Sequence, residues 1–409
     1  MPLAVYYNGA IESSEDYTCG ADARVFVARA SSYDVKELSR AVEGMAEAAG
    51  GWDKISPPHR PTLLKPNLMA AREPSRAVTT HPAFIRVLAE SLTARGRDVI
   101  IGDSPAGAVK GIKRVWENTG AAEVARAAGA RLVSFEAAGS VRRAVKSRFV
   151  DGVHVARVCD EATVIGVAKL KTHFLTIITG AVKNCLGVIP GLAKAELHRR
   201  APHPDDFSEL LVDLLPALAP RFTFVDGVVG LEGDGPASGD ARTFGLVMGG
   251  YNAAAVDVVI AQILGFAPDD VPTVKFSVER GLAPAEPEIV PIGVRFSDLV
   301  YDDVATPGSL WLRHLPRPLL RFAGRQFVIR PAVKEDGCNG CGQCVESCPV
   351  GAAQMKGKYA KIDPMKCIDC LCCYETCTEE AIYLRPSRVA RLYYAFREFK
   401  RRRRLRRYA

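Results

Sequence analysis

What this chain lacks narrows its function first. In 409 residues no stretch reaches the roughly 18 uninterrupted apolar positions of a membrane-spanning helix, so none is expected. Residues Met1–Gly20 lack a basic segment followed by an apolar run, so no secretory signal peptide is expected either. There is no G-x-x-x-x-G-K-[ST] phosphate loop, no G-x-G-x-x-G fingerprint behind a strand and no H-E-x-x-H, which argues against an ordinary nucleotidase, an NAD enzyme and a zinc protease. Acid is nearly absent from one end. Residues 385–409 carry eleven Arg or Lys against Glu398 alone, a net of +10, so the other residues sum to −2 of the chain's +8. The body is near neutral, and the basicity belongs to a tail.

What is present supports a large core. With 48% hydrophobic residues the chain can fill two or more domains. Between about 22 and 280, strand-like runs (Arg24–Arg29, Thr62–Lys65, Val99–Gly102, Leu132–Phe135, Thr163–Ala168, Phe222–Val225, Phe244–Met248) alternate with helical patterns. One helix begins at Asp34 with Glu37 as capping-box partner, one runs from Pro82 to Gly96, and others cover Phe207–Leu218 and Ala253–Leu264. This alternation predicts an α/β domain over 22–282: a mainly parallel sheet with helices on both faces. Prolines at 284, 287, 291, 307, 316, 318 and 331 make 283–331 read as a connector. Residues 332–385 read as a small α+β module, and 386–409 as a basic amphipathic tail.

That module holds nine of the twelve cysteines, eight of them in two regular runs. Cys338, Cys341, Cys344 and Cys348 form a C-x2-C-x2-C-x3-C run, and Cys367, Cys370, Cys373 and Cys377 repeat it 29 residues later. A paired zinc site would instead ask for two cysteine pairs separated by a longer loop. The segment resembles bacterial-type ferredoxins with two 4Fe–4S clusters, in which the fourth cysteine of each run ligates the other cluster. The resemblance implies Cys338, Cys341, Cys344 and Cys377 on cluster one, and Cys367, Cys370, Cys373 and Cys348 on cluster two. Two departures stand out: Thr378 sits where a proline is usual, and Cys372 is an extra thiol, expected to pack as a small buried apolar residue. The remaining thiols, Cys19, Cys159 and Cys185, are scattered. Scattered thiols and oxygen-sensitive clusters together point to a reducing, cytoplasmic location.

In an open parallel sheet, ligands bind beyond the carboxyl ends of the strands. Four polar motifs follow strand-like runs: Lys65-Pro66-Asn67, Gly102-Asp103-Ser104-Pro105, Lys169-Leu170-Lys171-Thr172-His173 and Asp226-Gly227. Residues 163–205 hold four lysines (169, 171, 183, 194) and three of the seven histidines (173, 198, 203) in an otherwise apolar, glycine-rich segment. Such a cationic rim suits an anionic ligand. The bland alternative is a solvated helix face. The glycine-rich stretch Asp226–Asp240 reads as a tight loop, and Asp226, Glu232 and Asp234 offer oxygen ligands for a divalent metal, although a plain turn explains them equally. Together with Thr80-His81-Pro82, Gly180–Gly187 and Asp226–Pro236, these motifs resemble the domain of unknown function 362 family, whose members often carry a C-terminal ferredoxin module. The resemblance implies that the motif residues form the site.

The expected function is an iron–sulfur oxidoreductase in which two 4Fe–4S clusters relay electrons to an anionic substrate or cofactor on the rim. Lys171, His173 and His198 are the expected catalytic groups, with His173 or His198 supplying protons. Lys65, Asn67, Asp103, Lys169, Lys183 and Asp226 are the expected substrate-binding groups. The rival is a non-catalytic ferredoxin-like carrier or docking subunit for a partner enzyme. A buried rim pocket facing the clusters favours the enzyme, and a flat apolar rim favours the carrier. A third reading makes the clusters structural in a nucleic-acid-binding protein. Either leading reading needs a redox partner protein. The tail either packs on the cluster module with its arginines solvated or lies peripherally on an anionic membrane; nucleic acid is the least favoured contact.

Overall fold

Alternating side chains along the strands of the first domain feed two separate cores, one on each face of a single sheet. Val25 and Val27 point into one core while Phe26 and Ala28 point into the other; Leu63 and Leu64 divide in the same way. The computed structural model describes residues 22–105, 108–237, 239–310, 329–387 and 391. The strands in chain order are β1 (Val25–Arg29), β2 (Thr62–Pro66), β3 (Val99–Asp103), β4 (Arg131–Ser134), β5 (Ser140–Ala144), β6 (Gly152–Ala156), β7 (Thr163–His173), β8 (Ile177–Ile178), β9 (Phe222–Glu232), β10 (Asp240–Gly250) and β11 (Ile289–Ile292). The main sheet has the order β11–β1–β10–β9–β7–β2–β3–β4, with β8 added to β7, and β5 pairs with β6 alone. Pairing is parallel from β9 through β7, β2 and β3 to β4, and β10 is antiparallel to both β9 and β1. This is the mainly parallel α/β sheet the alternation predicts. Within the proline-rich stretch 283–331, Ile289–Ile292 pairs parallel with β1 as an edge strand.

The helix-start signals operate with one change of partner. Asp34 caps Val35–Ala48 by accepting from the Glu37 N–H at 3.0 Å. Glu37 does not return the bond to Asp34; its carboxylate takes the N–H groups of Ser31 and Ser32 at 2.7 and 3.1 Å. Pro82–Thr93 starts on its proline behind a His81 cap, and Asn252 caps Ala253–Ile263.

Two strands run further than expected. β7 continues through Lys169–His173, and β9 through Asp226 to Glu232, so both polar motifs are strand rather than loop. The reason is mutual support: past the end of β2, β9 pairs with β10 on one side and with β7 on the other, across a register shift at Lys169/Lys171. The tight turn shrinks to the few residues between Glu232 and Asp240.

The cysteine-rich module is built from two short antiparallel pairs, β12 (Ile329–Val333) with β15 (Ile382–Pro386) and β13 (Ala353–Lys356) with β14 (Tyr359–Ile362), plus helices Gln343–Glu346 and Cys372–Thr376. It is docked on the rim. A third apolar cluster joins Ala77, Val78 and Leu231 of the first domain to Cys344, Leu371, Tyr374 and Ile382 of the module. Arg114 bridges to Glu379 at 2.5 Å, Arg72 pairs with Glu380, and Arg72 also donates to the Cys377 carbonyl at 3.4 Å. Among the described residues no helix is long and apolar enough to cross a membrane. The tail expected over 386–409 falls almost wholly outside the described residues, as does Cys19.

Candidate functional site

The eight cysteines divide spatially as the crossover pattern implies. One small void is walled by Cys338, Cys341, Cys344 and Cys377, and a second by Cys348, Cys367, Cys370 and Cys373. Each group surrounds a largely apolar space, with Val333, Ala381 and Ile382 beside Asn339, Gln343 and Glu379 in the first and Val350, Ala352 and Ile368 in the second. Four thiols around an apolar void fit an iron–sulfur cluster. Backbone N–H groups already point at two of these sulfurs: Ala352 and Ala353 donate to Cys348 at 3.1 and 3.5 Å, and Asp369 donates to Cys367 at 3.4 Å. Bound there, a cluster supplies one-electron transfer, and such N–H···S bonds tune its potential. Cys372 is buried as expected, but it also lines the second void.

A cavity of about 120 Å³ lies where the module meets the rim, several times the roughly 10–15 Å³ one water needs. The α/β domain contributes Lys65, Asn67, Asp103, Ser104, Lys171, Lys183, Asn184, Lys194 and His198, and the module contributes Ser347, Cys372, Glu375 and Thr376. Two glycines allow this convergence. A Cβ on Gly187 would collide with Asp103 Oδ1 and Lys65 Nζ, and a Cβ on Gly180 would collide with the Asp257 carboxylate. Lys65 and Asp103 pair at 2.9 Å, almost completely buried, and Lys65 also donates to Asn184 Oδ1 at 3.0 Å. Asp257 accepts from the N–H groups of Ala181 and Val182 at 2.6 and 3.2 Å, which anchors the short helix Ala181–Cys185 that presents Lys183 and Asn184. Burial pushes the Asp257 carboxyl up to about 7, against those two bonds.

The electrostatics single out Lys171. Its ammonium donates to the Val78 carbonyl at 2.8 Å and reaches Asn67 Oδ1 at 3.4 Å, with no carboxylate in ion-pair distance among the described residues. Burial, and after it the nearby Lys183 charge, pulls Lys171 down to about 7. Burial also lowers Lys194 to about 8; its ammonium is held by Ser104 and the Ile189 carbonyl. His198 stacks on Phe207 with ring centroids 3.9 Å apart, and burial drives it down to about 3, so it is a neutral imidazole near pH 7.

Six of the nine non-cysteine residues expected at the site line this cavity: Lys65, Asn67, Asp103, Lys171, Lys183 and His198. Three do not. Lys169 and Asp226 are fully buried and pair with each other at 2.8 Å, and Asp226 also accepts from Tyr33 at 2.9 Å and the His81 N–H at 2.9 Å. His173 accepts from the Leu175 and Thr176 N–H groups through Nδ1, and burial pulls it well below the usual histidine range. It therefore holds a turn, and a proton-supplying role does not match its surroundings. The carboxylates considered for a divalent metal are also dispersed: Glu232 pairs with Arg242 at 3.0 Å, Asp234 accepts from the Gly308 N–H at 2.7 Å, and Asp226 is taken by Lys169. No metal-binding group of three such side chains occurs among the described residues. Local sequence could not reveal the module's side of the cavity, because Ser347, Glu375 and Thr376 reach it only through docking; the extra Cys372 in the second run was the one hint.

Fold and site together define an iron–sulfur electron-transfer protein on an α/β scaffold. Residues 332–387 match the family described as 4Fe-4S dicluster domain, and residues 62–262 match the domain of unknown function DUF362. The chain is 32% identical over 311 residues to a thylakoid-associated protein of Synechocystis sp., covering 75% of this chain and 95% of that protein. It is also 44% identical over 54 residues to one component of an ion-translocating oxidoreductase complex of Methanosarcina acetivorans, but that match spans only 13% of this chain and 20% of that component. The chain belongs to the DUF362 family.

Proposed function

We propose that this chain is an iron–sulfur oxidoreductase in which two 4Fe–4S clusters exchange electrons with an anionic substrate or cofactor held in the interface cavity. The observation that carries this reading is the cavity's double wall, with lysines of the rim on one side and the cluster module on the other. An electron carrier that works only by docking needs no cationic cavity between its domains. Lys183 and Lys171 attract and orient negative charge, the Lys65–Asp103 pair and Asn67 shape the floor, and Lys171 is the group best matched to proton transfer near neutral pH. His198 serves as a neutral wall and hydrogen-bonding group. Electrons arrive from a redox partner protein. The basic tail contacts an anionic membrane surface peripherally, a reading supported by its charge and by the name of the thylakoid-associated relative.

The test is anaerobic purification followed by iron and sulfide analysis and mass spectrometry of bound small molecules. About eight iron and eight sulfide per chain are expected, together with an anionic molecule that Lys171→Met retains roughly a hundredfold more weakly. The ammonium is the form that binds an anion. Affinity should therefore fall as pH rises through about 7 to 8, where Lys171 and Lys194 lose their protons, and Lys171→Met should remove the lower part of that fall. If no small molecule is retained and Lys171→Met passes electrons like the wild type, the docking-carrier reading replaces this one.

A further inference from the structure

The charges around the interface cavity divide into those already answered and those left over. Lys65 and Lys194 each have all three ammonium donors engaged: Lys65 on Asp103, Asn184 and the Pro66 carbonyl, Lys194 on the Ser104 carbonyl and hydroxyl and the Ile189 carbonyl. Lys171 keeps one short bond, to the Val78 carbonyl at 2.8 Å, with Asn67 Oδ1 and Met69 Sδ at 3.4 and 3.9 Å. Lys183 and Glu375 line the same cavity, and among the described residues neither side chain has an ion pair or a hydrogen bond. Thr179 joins this second set. It is 3% exposed, its hydroxyl has no hydrogen-bond partner among the described residues, and its N–H ties it to the Lys171 carbonyl at 2.8 Å.

The leftover groups come from two domains and differ in sign. Lys171, Lys183 and Thr179 belong to the rim, whereas Glu375 belongs to the helix Cys372–Thr376 of the module. Burial dominates at Lys171 and Lys194, and against it the Glu375 carboxylate favours the charged form of both, so its field reaches across the cavity. Two unanswered ammoniums against one unanswered carboxylate leave a net of one positive charge. A ligand with a single negative charge neutralises it. A dianion overshoots, and its second anionic group meets Glu375 as a like charge. Because a carboxylate only accepts, the group that suits the Glu375 end is a donor such as a hydroxyl.

We infer that the cavity takes a small organic monoanion with a hydroxyl at its far end, and that Glu375 sets this specificity. The ligand's carboxylate lies on Lys171, Lys183 and Thr179, and its hydroxyl donates to Glu375. The rim lysines alone favour the more highly charged anion, so the module's carboxylate reverses the preference by repulsion as well as attraction. The inference rests on the reading of the cavity as an anion site and adds to it the class of ligand and the residue that discriminates.

The experiment is isothermal titration calorimetry on the full-length anaerobic holoprotein, below pH 7 to keep Lys171 protonated. Three probes of one chain length separate the effects: γ-hydroxybutyrate, butyrate and succinate. Wild type is expected to bind γ-hydroxybutyrate roughly tenfold more tightly than butyrate, and succinate most weakly. Glu375→Gln, which keeps the shape and an acceptor but removes the charge, should raise succinate affinity roughly tenfold or more. Glu375→Asp, which keeps the charge but draws it back, should still reject succinate while holding γ-hydroxybutyrate less well. Lys183→Met should weaken all three. Iron and sulfide, measured in every sample, are expected to stay at the wild-type level, so a change in affinity is not loss of the module. The ligand class is overturned if wild type binds succinate more tightly than γ-hydroxybutyrate, or if Glu375→Gln leaves their ratio unchanged. If none of the three binds to protein of full iron content, the anion site itself fails as well, so the two failures are distinguishable.

Discussion

Lys169 and Lys171 are two residues apart on β7, and both are fully buried, yet they do different work. Lys169 meets a carboxylate and Lys171 does not. The Lys169–Asp226 pair, with Tyr33 and the His81 N–H completing the acceptor's bonds, is a closed unit in which every charge is answered. Removing one member of such a pair strands a buried charge and costs about 3–5 kcal/mol. Asp226→Ala is therefore expected to lower unfolding free energy by about that amount in urea titrations, while Lys171→Met, which removes an unanswered ammonium, is expected to leave stability unchanged or raise it. The reverse ranking would mean that Lys169, not Lys171, is the group kept for function. Both lysines were legible as charge in an apolar segment. Their division of labour was not, because Asp226 arrives from β9, more than fifty residues away in sequence.

At the scale of elements, the two cysteine runs show how far a repeat can be read. The crossed grouping is what the resemblance to two-cluster ferredoxins implies, and the two voids are walled by those cysteines. The backbones differ in how the turn is made. The first run places glycines at both left-handed positions, Gly340 and Gly342, while the second places Asp369 and Leu371 there, with φ of 55° and 64°. A non-glycine residue in that region costs roughly 1–2 kcal/mol, whereas truncating a buried leucine costs about 2–5 kcal/mol. Packing outweighs strain. Leu371→Gly is thus expected to destabilise the protein by about 1–3 kcal/mol despite relaxing the backbone, seen as a lower midpoint of cluster release on anaerobic denaturation. A stability gain would show that the leucine contributes little to docking.

At the scale of the whole molecule, the decisive event is the seating of the cluster module on the carboxyl edge of the sheet. Arg72 and Arg114 reach across to Glu380 and Glu379, and the shared apolar cluster packs in the same interface. The basic tail follows this module in sequence, and its charge lends itself to a direct test. Replacing Arg401–Arg404 with Gln while keeping Leu392, Tyr393, Phe396 and Phe399 should sharply reduce co-sedimentation with anionic vesicles at low salt. Wild-type binding should itself weaken at high salt, because screening shortens the reach of surface charge. Absence of vesicle binding in both proteins would leave the tail without a membrane role.

The sequence by itself determined the class of fold, the two regular cysteine runs and the cationic character of the rim. Each of these is written in short-range pattern: strand and helix periodicity, fixed cysteine spacing, polar residues behind apolar runs. Strand ends were less legible, since β7 and β9 are carried past their apolar segments by pairing with each other and β10 rather than by local propensity. Only the tertiary structure decided which rim residues form one cavity. It drew Lys169, Asp226 and His173 into structural bonds, and it brought Cys372, Glu375 and Ser347 to face Lys171 and Lys183. The physical reason is that a buried charge or thiol takes its role from partners distant in sequence, and those partners exist only once the two domains have packed together.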